Sequence, residues 1–449
     1  MAERSYPDMF SVEQKYAPWL DNEELEMVRE VKGYVDDEML PMANEYEGGW
    51  HRDRERALDA FYGAYADLAD IGVQEALVPR SYGGPAVSIH ALQAMREEIA
   101  RADPGITTAL GKVHWMTYML QMVSEGPLHE ELLPAVVDGS PKSVAVLITE
   151  EQGGANIEDL TQEGRPIRVT AEKDGDEWVL NGHKKWGGPG GPPEHFERED
   201  HDGHLGYFVV TNVDPSKGSD GIAIFYVPPG ADGLSFGEPY EKMGMAWTDR
   251  NVEYWFDDVR IPEEYRLDDP ESPTQAASIL HGVVMGGGKL GSAATLVGTA
   301  QRALEVAIDH AGDRTIKGQP MRERPMFANM FGELARDVEA ARSYGFTVTG
   351  MIEDPMSHGT IWSPSVVGRA GAARSFAADV NTRAFDRAFQ LMGAQGYAYD
   401  AGLDKLKRDS KIVQLWLGGP QRDRLDMAYA HFDHEWLSPD DFQWHYEDG

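Results

Sequence analysis

The chain has 449 residues, 41% hydrophobic and 26% charged, with 41 Lys and Arg against 76 Asp and Glu, a formal charge of −35 and no cysteine. That length can bury a large core spread over two or three domains, while the missing cysteines exclude disulfides, thiolate metal sites and cysteine nucleophiles and fit a cytoplasmic enzyme. The acidity argues against a nucleic-acid partner, whose phosphates need a basic face, and reads either as a solubilising surface or as adaptation to a high-salt cytoplasm.

From about Asp21 to Ser140 the chain reads as helices. Leu25, Val28, Val31, Val35 and Met39 recur at helical spacing, and Pro41 marks a break. A second helix runs through A-L-D-A-F-Y-G-A-Y-A-D-L-A-D to Gly72, a turn-rich loop spans Val78 to Pro85, and another helix holds A-L-Q-A-M-R-E-E-I-A-R-A-D. Near Lys142 the pattern changes to strands. S-V-A-V-L-I-T reads as a buried strand, and R-V-T-A-E-K-D-G-D-E-W-V-L-N-G as a hairpin turning at Asp174-Gly175. Y-F-V-V-T-N, G-I-A-I-F-Y-V-P and V-E-Y-W-F-D-D-V continue a small barrel or sandwich. From about Thr274 helices return, with long ones near Phe327 to Glu353 and Ser363 to Met392 and a last one around Ile412, which suggests a four-helix bundle. The expected division is 1–141 helical, 142–268 β and 269–449 helical with an acidic tail. No run is apolar enough to span a membrane, and the start lacks a secretory layout.

L-A-D-I-G-V-Q-E-A-L-V-P-R-S-Y-G-G, V-L-I-T-E-E-Q-G-G-A-N, V-L-N-G-H-K-K-W and F-Q-L-M-G-A-Q-G-Y, spread over nearly the whole chain, together resemble signatures of the flavin-dependent acyl-CoA dehydrogenases. L-A-D-I-G-V-Q-E-A-L-V-P-R-S-Y-G-G resembles the family's N-terminal signature. V-L-I-T-E-E-Q-G-G-A-N resembles L-x-T-E-P-x-A-G-S-D, which implies that Leu147, Ile148, Thr149, Gly154 and Ala155 approach the flavin of FAD. V-L-N-G-H-K-K-W resembles L-N-G-x-K-x-W, implying that Trp186 packs on the ring. Gly187 and Gly188 stand where the family has a hydroxyl side chain, so backbone N–H groups would substitute for it. K-M-G-M-A-W-T-D resembles the link into the last helices and implies that Thr248 and Asp249 lie near flavin and acyl chain. A-G-D-R-T-I-K-G-Q-P resembles R-x-x-F-G-x-P. By that resemblance Arg314 reaches the FAD diphosphate across a subunit interface, where a guanidinium fork suits the ligand. F-Q-L-M-G-A-Q-G-Y resembles Q-x-x-G-G-x-G-Y, placing Gln390, Gly393, Ala394 and Gly396 against the same diphosphate. The resemblance further implies a homodimer or homotetramer, an acyl-CoA substrate and an electron-transferring flavoprotein as acceptor. His195, His201 and His204 lie in an unusual acidic segment, but their spacing matches no metal signature. A lid or partner-docking loop is the reading there.

The departure from the family concerns the base. Dehydrogenation of an acyl thioester needs a carboxylate to take the α proton, opposite the flavin. The family supplies it at positions corresponding to Leu417 or Gly288, and neither is acidic here. Three readings stay open. The base comes from elsewhere, with His114, Asp249 or Asp103 as candidates; or the flavin enzyme runs a non-oxidative reaction, such as desulfination; or the chain is a non-catalytic subunit. His114 has a suitable intrinsic pKa, against the ordinary alternative of a packed core ring. All three readings expect a substrate pocket around His114, Trp115, Thr248, Trp416, Leu417 and Gly418.

Overall fold

The computed structural model describes residues 8–154, 165–191, 195–198, 201–272 and 275–432. Its N-terminal part is a set of helices whose starts are written locally. Asp21 and Glu24 form a reciprocal capping box at the head of α1 (Asn22–Tyr34), and Leu25, Val28 and Val31 are buried. A π-helical turn carries the chain on to Met39, short of Pro41. Asp53 caps α2 (Arg54–Asp70) and Ser88 caps α3 (Ile89–Ala100). Asp103 caps α4 (Pro104–Gln121), accepting from Gly105 N at 2.7 Å and Ile106 N at 3.0 Å, with Pro104 in the first turn. Then comes α5 (Pro127–Val136).

Seven of the strands that follow make the main sheet: β1 (Ser143–Leu147), β2 (Thr170–Asp174), β3 (Glu177–Gly187), β4 (His204–Asn212), β5 (Ile222–Val227), β6 (Leu234–Phe236) and β7 (Val252–Pro262). They form one curled sheet in the order β1-β4-β2-β3-β7-β6, with β5 on β4. β1 is buried along its whole length because α4 packs on it, whereas β3 is fully buried only at Leu180, Lys184 and Gly187. The hairpin expected at Asp174-Gly175 turns one residue later. Asp174 pairs with Glu177, so Gly175-Asp176 is the loop and Gly175 takes φ 64°. A glycine leading a two-residue loop is a favoured hairpin solution.

The C-terminal part centres on α6 (Gly288–Asp313), α7 (Pro325–Glu353) and α8 (Pro364–Met392), closed by α9 (Leu403–Leu415) and α10 (Gly419–Tyr429). The last of these was not anticipated from sequence. α6 packs closely on α3 because Gly298 leaves room. A β carbon there would lie 2.1 Å from the Glu97 carbonyl oxygen. Buried ion pairs also bridge the two helical regions: Arg101 Nε to Glu305 at 2.9 Å and Arg342 Nη2 to Glu97 at 2.6 Å. Glu98 accepts from Lys15, Tyr16 and Arg101, and the nearby cations hold its carboxyl down at about 2 against the opposing cost of burial.

Candidate active site

Where α4, α6, the end of β3 and the loop after α9 meet, they enclose a cavity of about 450 Å³. Ile148, Thr149, Gly154, Trp186 and Gly187 form its sheet side. Trp115 and Gly288 form the helical side, and Trp416, Leu417 and Gly418 close it. Glycine is required at 187, since a β carbon would lie 2.3 Å from Leu147 Cδ2 and 2.5 Å from Tyr254 Cε2. Trp186, at φ 61°, stacks on Tyr240 with ring centroids 4.2 Å apart, yet stays 49% exposed. A half-exposed indole beside a flush glycine wall suits a planar ring system.

The two positions vacated by acid meet each other. A β carbon on Gly288 would lie 2.7 Å from Trp115 Cζ2 and 3.3 Å from Leu417 Cδ1, so Trp115 fills the room a side chain at 288 would need. Leu417 sits at φ 52°, followed by Gly418 at 82° and Gly419 at 69°. Three successive left-handed residues are costly, and the strain falls on a residue with a β carbon, as it often does at functional sites. Arg374, fully buried, holds this turn. Its guanidinium donates to the carbonyls of Trp416 and Leu417 and to Asp423 Oδ2 at 2.7 Å. Lys289 backs Asp423 at 3.4 Å and pairs with Asp426 at 2.6 Å.

The candidate bases separate sharply. His114 does not line the cavity, contrary to expectation. Its Nε2 is 2.7 Å from the Val73 carbonyl and its Nδ1 is 3.2 Å from Arg96 Nη2. Burial, aided by the Arg96 charge, presses its pKa to about 3. The ring is therefore neutral, donates from Nε2 and accepts at Nδ1, with no free nitrogen for a substrate. Asp103 is likewise occupied, by the α4 cap and by Lys405 Nζ at 2.6 Å, and it does not face the cavity. Asp249 does, and it is the only carboxylate among the described lining residues. Its Oδ2 lies 3.6 Å from Lys242 Nζ, and its Oδ1 is buried without a hydrogen-bond partner. Thr248 is buried behind the lining, its Oγ1 against Gly105 and also unpartnered.

The remaining expected cofactor residues divide. Leu147 packs beneath Gly187 rather than lining the cavity. Gly188 lies against Asn251 and Asp249, and Ala155 lies outside the described residues. Arg314, Gln390, Gly393 and Ala394 are exposed and do not line the cavity, while Gly396 is buried. Gly393 adopts φ 60°, ψ −136°, a conformation essentially reserved for glycine. His204 stacks on Tyr207, and no metal-binding group of three acids or histidines occurs among the described residues. No helix of the described residues is long and apolar enough to cross a membrane. Sequence reading missed Arg96, Lys112 and Asn251 as lining residues. The available signal was that Lys112 is the only Lys, Arg, Asp or Glu in α4.

Comparison with known proteins agrees with this architecture. Residues 21–140, 145–259 and 290–418 match the N-terminal, middle and C-terminal domain models of acyl-CoA dehydrogenase. The chain belongs to the acyl-CoA dehydrogenase family, a family of oxidoreductases. It is 28% identical to a probable acyl-CoA dehydrogenase of Mycobacterium tuberculosis over 92% of this chain and 96% of the relative. It is also 28% identical to the cyclohex-1-ene-1-carbonyl-CoA dehydrogenase of Geobacter metallireducens, over 89% and 95%. Among solved structures, nitroalkane oxidase superposes with TM-score 0.80 at 22% identity, covering 94% of this chain and 97% of that one. A glutaryl-coenzyme A dehydrogenase complex gives 0.77 at 22%, covering 92% and 95%.

Proposed function

We propose that the protein is an FAD-dependent dehydrogenase of an acyl-CoA thioester, acting with a non-standard base. The observation that carries this reading is the cavity itself, flanked by Thr149, Trp186 and Gly187 on one side and by Trp115, Gly288 and Leu417 on the other. A bound FAD would supply the acceptor for two electrons from the acyl chain. Thr149 would offer a hydroxyl to the ring, Gly187 a bare peptide edge, and Trp186 a stacking face. Trp115, Trp416 and Leu417 would exclude water from the acyl group.

Asp249 is the candidate proton acceptor, because it combines a place in the cavity wall with an unpartnered oxygen. Asp249→Asn keeps the shape and removes the basicity. The variant, loaded with FAD, should still bind the thioester but reduce its flavin at least about 100-fold more slowly, in keeping with the usual contribution of a positioned base. Wild-type reduction rates in Asp249→Asn would reject the assignment.

One observation favours a second reading, a non-oxidative reaction in the same cavity. Both ordinary carboxylate positions are apolar, and Trp115 fills the room a side chain at 288 would need. A thioester that shifts the flavin spectrum without bleaching it would select that reading.

Arg314, Gln390, Gly393 and Ala394 would serve a neighbouring copy's FAD in a homodimer or homotetramer, since in a single chain they face outwards. An electron-transferring flavoprotein is the proposed acceptor and the cytoplasm the proposed location. We place the domain boundaries at 141/142 and 268/269.

A further inference from the structure

Buried cations in this protein are generally held by carboxylates. Arg101 has Glu305 at 2.9 Å, Arg342 has Glu97 at 2.6 Å, Lys289 has Asp426 at 2.6 Å, Arg374 has Asp423 at 2.7 Å and Lys405 has Asp103 at 2.6 Å. Such pairing is expected, because an unpaired buried charge is strongly unfavourable. Arg96, as buried as these, has no such partner among the described residues, which is also true of Arg250 outside the cavity, and the partly buried Lys112 has none either; Arg96 and Lys112 both line the cavity.

Arg96 comes from α3 and is 7% exposed. Its Nη2 reaches the neutral Nδ1 of His114 at 3.2 Å, and no carboxylate among the described residues lies within ion-pair distance. The guanidinium fits because two helices carry glycine beside it. A β carbon on Gly291 would lie 2.6 Å from Nη1, and one on Gly111 would lie 3.7 Å from Nη2. Lys112, on α4, sets its ammonium 4.1 Å above the ring of Trp115 and makes no hydrogen bond or ion pair among the described residues. Burial lowers its pKa, partly offset by Asp249, and Arg96 lowers it further, so the two cations are close enough to repel. Burial alone brings Arg96 to about 10, still charged at neutral pH. Asp249 does not neutralise them both, being shared with Lys242 at 3.6 Å. Lys185, the other lining cation, is already paired with Glu151 at 2.7 Å.

In a chain of formal charge −35, two unpaired cations converging on one apolar cavity describe an anion site. We propose that Arg96 and Lys112 bind a carboxylate carried by the acyl group, so that the preferred substrate is the monothioester of a short dicarboxylic acid. His114 acts as a positioning residue that orients Arg96. The inference rests on reading the cavity as the acyl site. A phosphate of the coenzyme fits the position less well, because Trp115, Leu280 and Val284 make the adjoining wall apolar and Arg96 is nearly sealed from solvent. A compact carboxylate can be bound by the guanidinium fork and the ammonium together.

The test uses the full-length protein loaded with FAD and three coenzyme A thioesters of matched length. Glutaryl-CoA carries the carboxylate, its ω-amide is a neutral isostere, and valeryl-CoA is apolar. Binding is followed by perturbation of the flavin spectrum. Glutaryl-CoA should bind about 10- to 100-fold more tightly than the amide, the range expected for charge-assisted hydrogen bonds. In Arg96→Gln and in Lys112→Met the ratio should fall towards one. Equal binding of all three thioesters by the wild type overturns the proposal and leaves the acyl-site reading standing. Binding of none of them overturns both. A preference that survives in both variants overturns the assignment to these two residues. The wild-type comparison needs no variant, so a poorly folding substitution leaves the test intact.

Discussion

Replacing Arg374 by methionine tests how the turn at Leu417 is held. The guanidinium is almost fully buried and makes three bonds, to Asp423 Oδ2 and to the carbonyls of Trp416 and Leu417. Methionine keeps much of the volume and removes every donor. Asp423, 0% exposed, then keeps only Lys289 at 3.4 Å, a cation already committed to Asp426. Breaking a buried ion pair by removing one partner costs about 3–5 kcal/mol, much of it from the stranded charge. The two carbonyls lose charged donors at roughly 1.5–3 kcal/mol each before water or relaxation compensates. A total near 5 kcal/mol, shared across the whole chain, should lower Tm by roughly 5 °C in calorimetry.

The double variant Arg374→Met, Asp423→Leu separates the contributions. It removes both buried charges, so most of the stability should return, as in other buried pairs replaced by apolar residues. The turn should not recover, because the carbonyls of residues 416 and 417 still lack their donor, and thioester binding should remain weakened. Two results would refute this reasoning: a single variant within about 1 kcal/mol of wild type, where the pair argument requires 3–5, or a double variant that binds ligand normally.

Gly288→Glu restores an acid at one family position, but its β carbon would begin 2.7 Å from Trp115. We expect no gain in flavin reduction and a stability loss of about 1–3 kcal/mol from overpacking, read by denaturant titration. Glu98, at about 2 when folded against an ordinary 4.5, contributes stability that is complete above pH 4.5 and is lost as pH falls towards 2. Glu98→Gln should therefore destabilise strongly at pH 7 and progressively less below pH 4.5, as followed by thermal melts across pH. His114 has the opposite chemistry but the same sense. Its folded pKa of about 3 lies below 6.5, so its neutral burial destabilises the fold as pH drops beneath 6.5. His114→Gln should flatten the loss of stability between pH 6.5 and 3, and ligand binding should show no titration near pH 6.5 from this ring.

Much of this architecture is local and so was legible in the sequence. Asp21 with Glu24, Ser88 and Asp103 with Pro104 announce helix starts by side-chain chemistry alone, and every strand but the short β6 falls where alternation and punctuation put it. The hairpin slipped by one residue because register was settled by pairing along β2 and β3, which leaves Gly175 to lead the loop. The site was legible only in part. Trp186 ends a specific string and Gly187 follows it directly, and both line the cavity. His114 looked suitable because its intrinsic pKa suits a base. Only the packed structure reveals Val73 and Arg96 at its two nitrogens. Arg96 and Lys112 sit on different helices, 16 positions apart in sequence, and their lack of partners is a tertiary property that no spacing rule expresses.

The most direct test of the central claim is an anaerobic visible spectrum of the FAD-loaded protein titrated with acyl-CoA thioesters, glutaryl-CoA among them. The account predicts bleaching of the oxidised flavin band in the wild type and its strong slowing in Asp249→Asn. A band that shifts on binding but never bleaches, with any thioester, would contradict dehydrogenation.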